Sequence, residues 1–219
     1  MNGCDGLNGR PGRKTTAWLL LALPFAVVTL GAGSLSGDGG QSATAPLPQI
    51  HQPECEVSPR MDVEGRASPL DSASVEIAGE TVKVCYGAPS ARGRTMIGGE
   101  AVPHGELWRT GANEPTMIHL TTHALVAGIG LEPGAYSLYT IPGEEEWQLF
   151  ISRSTEHWGL AIDEEVRAQE VGEAVVPREH PPQHVETLTV RFEEEMGDSA
   201  TMILEWEDYR IRVPIELVG

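Results

Sequence analysis

The stretch AYSLYTIPGEEEWQLFIS, residues 135–152, decides the fold. Two runs rich in Tyr, Leu, Phe, Trp and Ile flank a Pro-Gly turn, the pattern of a β-hairpin. Large residues occupy alternate and intervening positions alike, so both faces need covering and the hairpin is predicted to lie centrally in its sheet. On the amino-terminal side, SVEIAG and ETVKVCYG (74–87) alternate Val75, Ile77, Val82, Val84 and Tyr86 about a Gly79-Glu80 turn, which leaves Cys85 on the opposite face. On the carboxyl-terminal side, HWGLAI (157–162) reads as a further strand. VETLTVRF (185–192), ATMILEW (200–206) and YRIRVPI (209–215) then send Leu188, Val190 and Phe192, Met202, Leu204 and Trp206, and Tyr209, Ile211 and Val213 to one side, as in an antiparallel meander. Only DEEVRAQEV (163–171) has helical spacing. About nine or ten short strands with Gly and Pro turns and no βαβ alternation predict an all-β domain over 59–219, an antiparallel β-sandwich or a partly closed barrel.

The amino end speaks of export. Arg10, Arg13 and Lys14 precede the apolar run TAWLLLALPFAVVTLGAG (16–33), so residues 1–33 read as a signal peptide or a membrane anchor. Ala32-Gly33-Ser34 offers small residues for cleavage, while the apolar run is slightly short of the ~20 residues of a membrane span; cleavage and retention both stay open. Residues 34–58, rich in Gly, Ser, Pro and Gln, read as a flexible tether. The whole chain has 219 residues and a formal net charge of −17; residues 41–219 keep 12 of its 15 basic and 30 of its 32 acidic residues. Such a surface repels a phosphate backbone, so no nucleic-acid partner is expected. Cys4 precedes the apolar run, leaving Cys55 and Cys85 as the exported cysteines. A disulfide between them suits an oxidising compartment and would fasten the tether's end to the first hairpin, the alternative being two free thiols.

One segment gathers polar chemistry. ELWRTGANEPTMIH (106–119) carries Trp108, Arg109, Asn113, Glu114 and His119. Gly111 provides freedom for a turn, Asn113 tolerates a left-handed backbone, and Pro115 holds Glu114 extended. A guanidinium at Arg109 facing the Glu114 carboxylate over Trp108 would clamp this corner. Such a clamp serves architecture, or, with Asn113 and His119, presents convergent polar groups to a ligand. His119 and His123 share a strand face about 13 Å apart, too far to hold one ion. His180 and His184 enclose Pro181-Pro182 without a supporting carboxylate pattern, so no metal site is assigned. No nucleophile elbow, phosphate loop, dinucleotide motif or zinc-protease helix occurs, and no cofactor is expected. Tyr136, Tyr139, Trp147 and Trp158 read as core aromatics before sugar-stacking ones.

Taken in order, SPR (58–60), VCYGAPSARGR (84–94), VPHGELWRTGANEPT (102–116), LEPGAYSLYTIPGEEEW (131–147), HWG (157–159), VETLTVRF and LEWEDYRIRVPI resemble the bacterial family of domains of unknown function numbered 2911, over about residues 57–215. The chain departs from that pattern at Ala88, where the family usually has Arg, and at His104, where Tyr is common. The resemblance implies an exported or membrane-tethered all-β domain and no established activity. The sequence therefore leads to a non-catalytic module binding a small ligand, a glycan or an envelope protein, with membrane contact only through the N-terminal segment. The alternative is a cell-envelope enzyme, a hydrolase or metal-dependent catalyst, using Arg109, Glu114 and His119.

Overall fold

The computed structural model describes residues 53–57, 63–157 and 162–219. Residues 1–33, expected to be a signal peptide or membrane anchor, lie outside the described residues, as does the expected tether 34–58 apart from 53–57. The strands are β1 (Leu70–Ile77), β2 (Glu80–Gly87), β3 (Thr116–Leu120), β4 (Ala124–Val126), β5 (Ile129–Leu131), β6 (Gly134–Ile141), β7 (Glu146–Ser152), β8 (Glu170–Glu179), β9 (Val185–Glu194), β10 (Ser199–Glu207) and β11 (Tyr209–Leu217). One short helix, α1 (Glu164–Arg167), is capped by the Asp163 carboxylate, which accepts the Val166 N–H at 3.0 Å. Among the described residues no helix is long and apolar enough to cross a membrane.

The main path is β1-β2-β3-β6-β7-β8-β11-β10-β9, with antiparallel neighbours throughout. The β6–β7 hairpin is central, and its two apolar faces have different partners. Tyr136, Leu138, Trp147, Leu149 and Ile151 face the main core, while Tyr139 and Phe150 stack at 5.5 Å on the outer face, under Val166 of α1. The carboxyl-terminal meander forms as read, with Met202 facing Phe192 and Val213, and Leu204 facing Val190 and Ile211. On its outer face the cross-strand pairs of Arg191 and Arg210 with Glu205 and of Arg212 with Glu193, and the Arg191–Glu193 pair within β9, lie around Ile203, which is buried under them.

The sheet curls until its ends meet, which settles the architecture as a nearly closed barrel. The extension of β2 bridges to β9: Leu188 N–H donates to Pro89 O and Ala91 N–H to Glu186 O, both at 2.9 Å. Tyr86 latches this seam. Its hydroxyl accepts the Val190 N–H at 3.0 Å and donates to Asp71 Oδ2 at 3.1 Å, and burial, the main cause, pushes its pKa up to about 12. A gap remains between β8 and β11, which pair only through Glu179 with Arg210 and Arg178 with Ile211. Beside it the β4–β5 hairpin pairs with the last residues of β11.

Several details differ from expectation. The first hairpin turns on Ala78-Gly79, both left-handed at φ 51° and 85°, as a tight two-residue connection requires. β4, β5 and β8 add to the strands that the sequence predicts. His157 and Ile162, the ends of the expected strand HWGLAI, belong to no strand, and the residues between them lie outside the described ones. Cys55 and Cys85 form a disulfide, with Cα atoms 5.6 Å apart, and Lys83 Nζ donates to Pro53 O at 2.8 Å, so 53–57 straps the outer face of β2.

Candidate functional site

The long β2–β3 connection (88–115) crosses one mouth of the barrel, where the β6–β7, β8–β9 and β10–β11 turns also gather. Trp108 enters the sheet beside β6, exchanging both backbone hydrogen bonds with Thr140 at 2.8 and 2.9 Å. Its indole turns inward, stacks on Trp206 at 5.6 Å and meets Trp147 edge-on at 5.9 Å, so it fills the top of the core. Its Nε1 donates to Gly111 O at 3.2 Å. The chain then folds back on itself. Thr110 and Asn113 take the left-handed conformations, at φ 59° and 65°. Gly111 is not one of these; it is needed because a Cβ there would lie 2.8 Å from Thr116 Oγ1. Gly87 meets the corner from β2, accepting the Ala112 N–H at 3.1 Å, and a Cβ on Gly87 would lie 1.8 Å from Ala112 O.

Arg109 and Glu114 do not form the expected clamp. Following inward-facing Trp108, Arg109 leaves on the outer face, where its Nη1 donates to Asn113 O at 2.9 Å and burial lowers its pKa. Glu114 comes after the left-handed Asn113 and is turned toward the segment before β1. There its Oε1 meets Arg66 Nη1 at 2.5 Å, and Asn113 Nδ2 donates to Ser68 O at 2.9 Å. Glu114 is 1% exposed, so this is a buried ion pair. Among the described residues its Oε2, and Nε and Nη2 of Arg66, have no hydrogen-bond partner.

His119 lies on the outer face of β3 opposite Lys83, and its buried Nε2 likewise has no partner among the described residues. No hydrogen bond or ion pair joins it to Glu114, so the enzyme reading's proposed acid and base are not paired. Sequence reasoning missed three residues. Arg66 sits in an irregular segment whose spacing gives no signal. Ser137, fully buried on the outer face of β6, has an unpartnered Oγ. His157 lies near enough to Arg109 for that charge to lower its pKa, second to burial. A cavity of about 440 Å³ opens beside it, lined also by Arg153, Ser154, Asp163 and Gln169, with Ser154 Oγ 3.2 Å from His157 Nδ1. His157 belongs to the HWG segment already noted for its family likeness.

Burial depresses the pKa of both His119 and His157. The unfolded chain takes up protons at these positions from about pH 6.5 downward, while the folded chain resists, so their contribution is intact above that pH and is lost as pH falls toward the folded values. Urea unfolding at pH 7.5 and 5.5 is expected to show lower stability at 5.5. His119→Met removes one of the two buried imidazoles, and the decline should be smaller in that variant.

Fold and site together define a disulfide-strapped, nearly closed antiparallel barrel with a buried polar corner at one mouth. The chain belongs to the family described as Protein of unknown function (DUF2911), whose model matches residues 68–215. No curated protein and no solved structure matches it.

Proposed function

We propose that this is an exported barrel domain that binds a small polar molecule at the outer side of the WRTGANE corner. The observation carrying the reading is a set of buried polar atoms that have no partner among the described residues: Arg66 Nε and Nη2 and Glu114 Oε2 at the corner, with Ser137 Oγ and His119 Nε2 farther along the outer face of β6 and β3. More than about nine in ten buried polar groups find a partner, so the three left open on Arg66 and Glu114 suit a ligand that supplies acceptors to Arg66 and a donor to Glu114. The Cys55–Cys85 disulfide supports an oxidising compartment. Segments 1–33 and 34–58 supply the leader or anchor and the tether of this reading.

The enzyme reading draws on one observation, Ser154 Oγ beside His157 Nδ1 near the Arg109 charge. Native mass spectrometry of the protein isolated from its own cells separates the outcomes. A bound small molecule is expected, lost in Glu114→Gln and kept in the control Glu144→Gln, whose side chain is 85% exposed. Bare protein in every sample would overturn the binding reading; turnover of the bound molecule that stops in His157→Gln would move it to the enzyme.

A further inference from the structure

The same mouth holds a second opening, of about 480 Å³, between residues 91–97, the β8–β9 loop and the β10–β11 turn. Arg94 and Arg178 both line it, and neither pairs with a carboxylate among the described residues. Backbone carbonyls position them instead. Arg94 Nε donates to Ala91 O at 3.0 Å and its Nη2 to Ser90 O at 3.4 Å. The Arg178 guanidinium lies 4.4 Å from the Tyr209 ring centroid, and its Nη2 donates to Asp208 O at 3.0 Å. Its Nη1 reaches His180 Nε2 at 2.9 Å, where the imidazole must accept because a guanidinium only donates. Its buried Nε has no partner among the described residues.

Carboxylates also border the opening, but each already accepts a hydrogen bond from a neighbouring backbone N–H or lies beside an imidazole. Glu207, at φ 51° in a region few non-glycine residues occupy, accepts the Met96 and Ile97 N–H groups at 2.9 and 2.7 Å. Glu186 accepts the Arg92 N–H at 2.5 Å, and Asp208 Oδ1 lies 3.3 Å from His184 Nδ1. Elsewhere Arg66, Arg167, Arg191, Arg210 and Arg212 each meet a carboxylate. Arg94 and Arg178 are thus two guanidiniums in one opening that have no carboxylate partner among the described residues, although Glu186, Glu207 and Asp208 share its lining.

We propose that this opening is a separate site for an oxyanion, the phosphate or carboxylate group of a small molecule, gripped by Arg94 and Arg178. Guanidinium groups match the paired oxygens of such anions and remain charged at every physiological pH. The aromatic support under Arg178 and the carbonyls behind Arg94 fix the two donors in advance, which limits the ordering cost on binding.

Isothermal titration of the protein as its cells process it, with inorganic phosphate and separately with glucuronate, tests the site. Binding of at least one is expected, and which one binds tells a phosphate site from an acidic-sugar site. Each charge-assisted contact is worth enough that Arg178→Gln or Arg94→Gln should weaken binding about tenfold or more. Arg94 has an exposed side chain, so its variant keeps the test decisive if Arg178→Gln loosens Tyr209. The control Arg167→Gln, and Glu114→Gln at the other site, should leave the titration unchanged. No heat with either anion, or binding indifferent to both mouth variants, would overturn the assignment.

Discussion

Replacing Glu114 by alanine is expected to lower the unfolding free energy by about 3–5 kcal/mol, because it strands the Arg66 guanidinium in a buried site. For a domain of this size that corresponds to a melting temperature lower by roughly 6–20 °C. Arg66→Met should cost a similar amount for the mirror-image reason. The double variant Arg66→Met/Glu114→Leu removes both charges and should recover most of the loss, since apolar replacement of a whole buried pair is often near neutral. Denaturant unfolding of the wild type, Arg66→Met, Glu114→Leu and the double variant gives the coupling directly. Additive losses would mean the pair is wet, and the unpartnered atoms around it would lose their significance.

Trp108→Ala is expected to cost about 3–5 kcal/mol by leaving a cavity at the top of the barrel. The indole stacks on Trp206, meets Trp147 and ties its own turn through Gly111 O, so its loss also leaves a buried carbonyl with fewer partners. Trp108→Phe keeps a ring against Trp206 without the N–H and should cost distinctly less. Equilibrium unfolding in urea measures both; equal losses would show that the hydrogen bond, not the ring volume, holds the corner.

The legible parts of this molecule are those where one local rule acts alone. The Pro-Gly turn and large residues of 135–152 specify a hairpin buried on both faces, and the alternation through 200–215 fixes which side of the meander faces inward. β8 escaped because Gly172 and Pro177 interrupt it and its outward positions include Glu173 and exposed Val175, so pairing with β7, not its own pattern, makes it a strand. β4 and β5 are three residues each, too short for periodicity to register. At the site, the chemistry of ELWRTGANEPTMIH was visible but its pairing was not. Sequence neighbours suggested Arg109 for Glu114, whereas the left-handed Asn113 turns that carboxylate toward Arg66, 48 positions away. Proximity created by a turn leaves no trace in spacing.

The strap has a mechanical side. Tension applied to the chain upstream of Cys55 crosses the sulfur bridge directly to Cys85, bypassing the 30-residue separation that contains all of β1. The load therefore enters at β2, which is hydrogen-bonded to β1 on one side and β3 on the other. An interior strand held along both flanks must shear many bonds together, whereas an end strand can be peeled one bond at a time. With the bridge reduced, the same pull would run through residues 56–69 and reach β1 first.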